Sequence, residues 1–169
     1  MIFFRKTRAT REIKRKARRG LNTKFSKDFK NYVADTSSVI SKVIPLLIKK
    51  GLRGKIIIPN AVMAELENMA NKGKEVGFIG LDQISRLHRI KQVKISFEGS
   101  RPTEMQIKYA KSGEIDALIR ETAIKNQAIL ITADLVQAKS SQAYGLRVLY
   151  IKPKRKKRKK RFLLIFKRR

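Results

Sequence analysis

Two apolar runs in this chain end on an aspartate in the same manner, Val33-Ala34-Asp35 and Ile131-Thr132-Ala133-Asp134. Either aspartate alone reads equally well as the cap of a following helix. Two at equivalent strand ends suggest a shared site, provided the strands are neighbours, because parallel sheets bind ligands outside the carboxyl ends of their strands. Glu65 and Asp116 join them from segments of helical period. Val62, Leu66 and Met69 form an apolar stripe that Glu65 shares, while Glu67 falls with Met63 and Ala70 on another side. Ile115, Leu118 and Ile119 form a second stripe with Asp116 on its edge. A carboxylate facing a core is costly unless paired or bound to a cation. Glu114 diverges from Asp116 inside a helix and converges with it only at the helix start. It reads evenly as a first-turn acid favoured by the helix dipole or as an outer partner of a bound metal.

Four acids at one sheet edge call for a positive charge. Two carboxylates about 4 Å apart repel by roughly 4 kcal/mol at an effective dielectric near 20. The chain has no cysteine and one histidine, His88, which reads as a surface residue in a basic helical segment. An all-oxygen site of this kind suits Mg²⁺ or Mn²⁺ rather than zinc. Absence of cysteine also excludes a disulfide scaffold and a cysteine nucleophile.

The elements that must position these acids follow from alternating apolar runs and helical periods. Strands are expected at residues 32–34, 55–58, 93–97, 128–132 and 147–151. A single helix is expected over Ser37–Lys50, with Val39, Val43, Leu46 and Leu47 on one side. Further helices are expected from Asn60, read as a cap, to Asn71, and then over 81–91, 103–111, 114–126 and 135–144. Gly73, Gly77 and Gly80 read as a loop before the third of these segments. Strands alternating with helices imply an α/β fold, a parallel sheet covered on both faces.

The charge is uneven. Lys and Arg number 42 against 13 Asp and Glu, a net +29. Residues 1–30 carry a net +10, residues 31–152 a net +8, and residues 153–169 eleven basic residues with no acid. The expected organisation is therefore a folded domain at 31–152 between a basic N-terminal arm (1–30) and a basic C-terminal tail (153–169). Lys14, Arg15, Lys16, Arg18 and Arg19 in the arm are candidate nucleic-acid contacts. So are Lys154, Arg155, Lys156, Lys157, Arg158, Lys159, Lys160 and Arg161 in the tail. The patch Phe162–Phe166 is far too short to cross a bilayer. It leaves open an anionic membrane surface, the domain itself or a partner. The arm also has the composition of an organellar transit peptide, which would not account for the tail.

At the acidic positions the sequence resembles the PIN domain, a family of metal-dependent ribonucleases. The matching segments are Asp35-Thr36-Ser37, Ala64-Glu65-Leu66-Glu67, Gly113-Glu114-Ile115-Asp116-Ala117 and Thr132-Ala133-Asp134. They resemble most the N-terminal PIN domain of archaeal ATPases carrying PIN and KH domains, over about residues 31–152. The resemblance implies a three-layer fold with sheet order 3-2-1-4-5, and Asp35, Glu65, Asp116 and Asp134 as metal-holding catalytic residues. It also places the hydroxyls of Ser37 and Thr132 beside the metal. It implies an endoribonuclease, cytoplasmic, acting on RNA, with ribosomal RNA and DNA left open and homodimers common. Where that branch carries Asp-Gly, this chain has Ser41-Lys42, so substrate access there is expected to differ. No G-x-x-x-x-G-K-[ST] segment occurs, so the expectation is a stand-alone relative or a separate N-terminal piece. The rival reading is a non-catalytic RNA-binding or ribosome-associated protein that keeps the fold.

Overall fold

The computed structural model describes residues 30–109 and 113–152. Most of the two basic segments, and with them every arm and tail contact named above, lies outside these residues. Lys30, assigned above to the arm, opens the first strand. Five parallel strands form one sheet in the order β3-β2-β1-β4-β5. They are β1 (Lys30–Ala34), β2 (Gly54–Pro59), β3 (Val93–Glu98), β4 (Ile129–Thr132) and β5 (Val148–Tyr150). Ile56, Ile57 and Ile58 are all fully buried although successive strand residues point to opposite faces, so both faces of the sheet are covered. β-branched side chains make up half of β2 and three of the four residues of β4, where they pack well on a pleated surface. Among the described residues, no helix is long and apolar enough to cross a membrane.

The expected helix over Ser37–Lys50 is two helices, α1 (Thr36–Ile40) and α2 (Val43–Lys49). Pro45 is the reason. In one continuous helix its ring would clash with the Ser41 carbonyl and it would lack the N–H to bond it. In the observed arrangement Pro45 sits in the first turn of α2, where that N–H is not needed. Lys42 makes the break by adopting a left-handed conformation, φ 57°. The change of direction also turns Leu46 out, leaving it 54% exposed while Val43, Ile44, Leu47 and Ile48 are buried. A left-handed non-glycine residue costs about 1 kcal/mol or more. Lys42→Gly is accordingly expected to raise the unfolding free energy by about 1 kcal/mol in chemical denaturation.

Helix α3 (Asn60–Asn71) starts as expected, but Asn60 does not cap it. The residue is already helical, and its amide donates to the Gly99 carbonyl at 2.8 Å, tying α3 to the end of β3. Helix α4 (Glu75–Leu87) begins well before the expected position and contains Gly77 and Gly80. These glycines permit close packing. A Cβ on Gly77 would meet the Ala70 amide nitrogen and, at 2.7 Å, the Leu66 carbonyl, whereas the nearest atoms to one on Gly80 belong to the Leu66 side chain. Alanine gains about 1 kcal/mol of helix propensity over glycine, while overpacking costs about 1–3 kcal/mol. Backbone cannot yield as a leucine side chain can. Gly77→Ala is thus expected to lower the melting temperature and Gly80→Ala to lower it less. Equal effects of the two in a thermal melt would contradict the packing argument.

The remaining helices are α5 (Glu104–Tyr109), α6 (Glu114–Lys125) and α7 (Leu135–Ala143). Helix α6 buries Ile119, Thr122 and Ala123, with Ile115 and Leu118 half-buried against the core.

Candidate metal centre

Strand order decides where a site can form. β1 lies between β2 and β4, so the chain leaves it in one direction and returns on the other side. That reversal opens a crevice at the carboxyl ends of β1 and β4. Ala34 is in register with Ile131, and the Asp35 amide donates to the Ile131 carbonyl at 3.0 Å. The neighbour condition on Asp35 and Asp134 is therefore met.

Asp35 is 4% exposed. Its Oδ2 accepts from Ser37 Oγ at 2.5 Å and from Thr132 Oγ1 at 2.7 Å. The two hydroxyls are 3.2 Å apart, and Ser37 Oγ also accepts from the Ala133 amide at 2.9 Å. Thr132 Oγ1 accepts from the Asp134 amide at 3.0 Å. Ser37 and Thr132 therefore lace β1 to the turn after β4 around one carboxylate. Burial pushes the Asp35 carboxyl above its ordinary range, and the two hydroxyls pull it only part of the way back.

Glu65 extends from α3 to this end of the sheet, where its Oε2 accepts from Thr36 Oγ1 at 2.5 Å. Burial raises its proton affinity, Thr36 opposes that, and the charges of Asp35 and Asp116 raise it further. Asp116 is also held up, by burial first and then by Asp35 and Asp134, with Arg120 acting the other way. Three acids from β1, α3 and α6 thus carry mutually unfavourable negative charge. Glu67 is elsewhere, paired with Arg101 at the surface.

One expectation needs correction. The buried residues of α3 are Ala61, Val62, Ala64, Leu66 and Ala70, with Met63 packed against the core and Met69 outside that cluster. Met63 rather than Met69 packs against the core, although Glu65 still faces the site. Glu114 is exposed in the first turn of α6 and makes no hydrogen bond or ion pair among the described residues, the arrangement of a dipole-favoured acid.

Asp134 differs in kind from Asp35. Its Oδ1 caps α7, accepting from the Val136 amide at 2.6 Å and the Gln137 amide at 3.2 Å. One aspartate of the pair serves as a helix cap, while the other is bound by hydroxyls and caps nothing through its side chain. Thr36 escaped sequence reasoning, although its place between Asp35 and Ser37 was a signal. Gln137 escaped it too. It is buried, and its Nε2 donates to the Asp116 carbonyl at 3.3 Å, joining α7 to α6.

The donor set suits a hard divalent cation in kind, being carboxylates and hydroxyls, and in charge, since the acids oppose one another's ionisation. Among the described residues no three Asp, Glu or His side chains are gathered closely enough to hold a metal as they stand.

A family model for the PIN domain matches residues 32–141. Over 130 residues the chain is 39% identical to an uncharacterized KH and PIN-domain containing protein of Methanocaldococcus jannaschii. That match covers 72% of this chain and 20% of the relative, so the chain spans about a fifth of the relative's length. A solved domain of a functionally unknown protein from the same organism is 37% identical, with a TM-score of 0.70. It covers 76% of this chain and 95% of that one.

Proposed function

Because this chain belongs to the PIN-domain family, whose members are generally nucleases and typically use divalent metal ions, we propose that it is a metal-dependent endoribonuclease. Asp35, Glu65 and Asp116 would hold Mg²⁺ or Mn²⁺, with Asp134 beside them. The observation that carries this reading is the buried Asp35 carboxylate, held by Ser37 and Thr132 and facing two further acids with no ion pair to any of the three among the described residues.

When bound, such a cation supplies activated water and stabilises charge on a scissile phosphate. The chain's own residues do the rest. Ser37 and Thr132 orient the Asp35 carboxylate by donating to one of its two oxygens. Thr36 steadies Glu65 in the same manner. The net +29 charge holds the phosphate backbone, most of it from segments that contain none of the four acids. Those segments also favour a second reading, a non-catalytic RNA-binding or ribosome-associated protein.

Incubation of the full chain with labelled RNA and DNA, with Mn²⁺, Mg²⁺ or chelator, separates the two readings. The expected result is internal cleavage of RNA that chelator stops. Binding without cleavage under every metal would support the second reading, and cleavage undiminished in chelator would overturn the metal. The two neighbouring glutamates refine the test. Glu65→Gln keeps an acceptor for Thr36 but removes the charge, and is expected to lower cleavage and metal affinity about 10- to 100-fold. Glu67→Gln loses a surface ion pair worth at most about 1 kcal/mol and is expected to leave cleavage unchanged.

A further inference from the structure

Asp116 and Arg120 stand one helical turn apart on α6, a spacing at which acid and guanidinium ordinarily close into an ion pair. Here they do not, among the described residues. The guanidinium is drawn aside by two groups of the α7 region. Arg120 Nη1 donates to Gln137 Oε1 at 3.3 Å, and Arg120 Cζ lies 5.0 Å from the centre of the Tyr144 ring. Gln137 is 1% exposed and fixed at its other end by the Asp116 carbonyl, so it is a rigid bracket. Tyr144 is 67% exposed, so one side of the bracket faces solvent. Arg120 is near enough to Asp116 for its charge to be felt there, yet most of its five donors make no bond among the described residues.

We infer that Arg120 is a substrate-binding residue that grips an RNA phosphate beside the acidic crevice, and that Gln137 and Tyr144 are positioning residues that keep its guanidinium off Asp116. The inference rests on the nuclease reading and deepens it. An acidic crevice repels the polyanion it must admit, and a fixed cation at its rim offsets that repulsion where the backbone passes. Arginine suits the place better than lysine because its planar fork matches phosphate oxygens and stacks on an aromatic face while doing so. A residue serving only to soften the charge of Asp116 would gain most by bonding it directly. This one is held away from it.

The test compares Arg120→Ala, Arg120→Lys, Tyr144→Ala and Tyr144→Phe in the full chain, with a labelled single-stranded RNA. Arg120→Ala is expected to raise KM about tenfold or more, the loss of one charge-assisted bond, with little change in kcat. Measured in chelator, its binding should lose about 0.7 from the log–log salt slope, the share of one single-strand phosphate. Arg120→Lys should restore the slope but only part of the KM, because it keeps the charge without the fork. Tyr144→Ala should raise KM to a smaller degree, and Tyr144→Phe, which keeps the ring face, should restore it. If Arg120→Ala does not fold, Arg120→Lys and the exposed Tyr144 pair carry the same comparison. Wild-type KM and salt slope in Arg120→Ala, with only its melting temperature or metal affinity altered, would overturn the inference while leaving the nuclease reading intact. Absence of cleavage in the wild type would overturn the nuclease reading, and the salt slope in chelator would still decide whether Arg120 holds phosphate.

Discussion

Asp35→Asn is expected to remove metal-dependent RNA cleavage by about 10²-fold or more while leaving the metal-free protein as stable as the wild type or more so. The two halves of that result come from one geometry. Asparagine keeps an acceptor for Ser37 and Thr132, so the lacing between β1 and β4 survives. What disappears is a charge at the centre of the acidic set, and losing one preorganised group of this kind typically costs about 10²–10³ in rate. On the stability side, Asp35, Glu65 and Asp116 all have carboxyl pKa values raised by burial, the latter two also by neighbouring acids. A raised carboxyl binds its proton more tightly in the folded state than in the unfolded one. Stability from these groups is therefore full below the ordinary carboxylate range and is lost as pH rises through the raised values. Asp35→Asn removes part of that loss, so its metal-free melting temperature should fall less between mildly acidic and neutral pH. Melts with and without Mn²⁺ check both halves. Wild-type cleavage by the variant would eliminate Asp35 as a metal-holding residue, and a steeper pH dependence would show that its carboxylate is compensated in the fold.

The second large effect belongs to the basic segments. Removing residues 1–28 and 154–169 deletes 22 Lys and Arg, Glu12 and Asp28, and none of the four acids. Every phosphate that the protein ceases to neutralise lowers the log–log salt slope of binding by about 0.7 to 0.9, so releasing even six lowers it by roughly 4 to 5. Affinity at low salt should fall by orders of magnitude. The single-turnover rate at saturating RNA should persist, because binding made equally to substrate and transition state changes KM rather than the chemical step. A binding module would lose affinity in the same manner but would show no metal-dependent cleavage before or after truncation. An unchanged salt slope would mean that the two segments do not touch nucleic acid.

How far the sequence alone determines this protein can be read from particular residues. The α/β class and strand positions were legible because buried parallel strands carry uninterrupted apolar runs such as Ile56–Ile58, standing between turn-forming residues. The acidic candidates were legible because a carboxylate at a strand end or on a core-facing stripe violates the ordinary pattern. Local breaks were legible in principle, since Pro45 forbids a continuous helix, but only where every residue of the segment is tested against the geometry proposed for it. Gly77 and Gly80 were misread because the same residue that ends helices also lets two helices touch. Only the approach of α4 to α3, through Leu66 and Ala70, tells the two apart.

What the tertiary structure alone decided is which acids act on one another and which are occupied. Asp35 and Asp134 have similar sequence contexts, yet one is buried under two hydroxyls and the other caps its own helix. Gln137, Arg120 and Tyr144 carry no local signature, because Gln137 lies 17 residues from Arg120 along the chain, and Thr36, though flanked by Asp35 and Ser37, meets its partner Glu65 only 29 residues away. Hydrophobic pattern is a property of neighbours along the chain and survives in one dimension. Electrostatic coupling depends on distance in space, and only the order of the strands brings β1 beside β4 with α3, α6 and α7 around their ends.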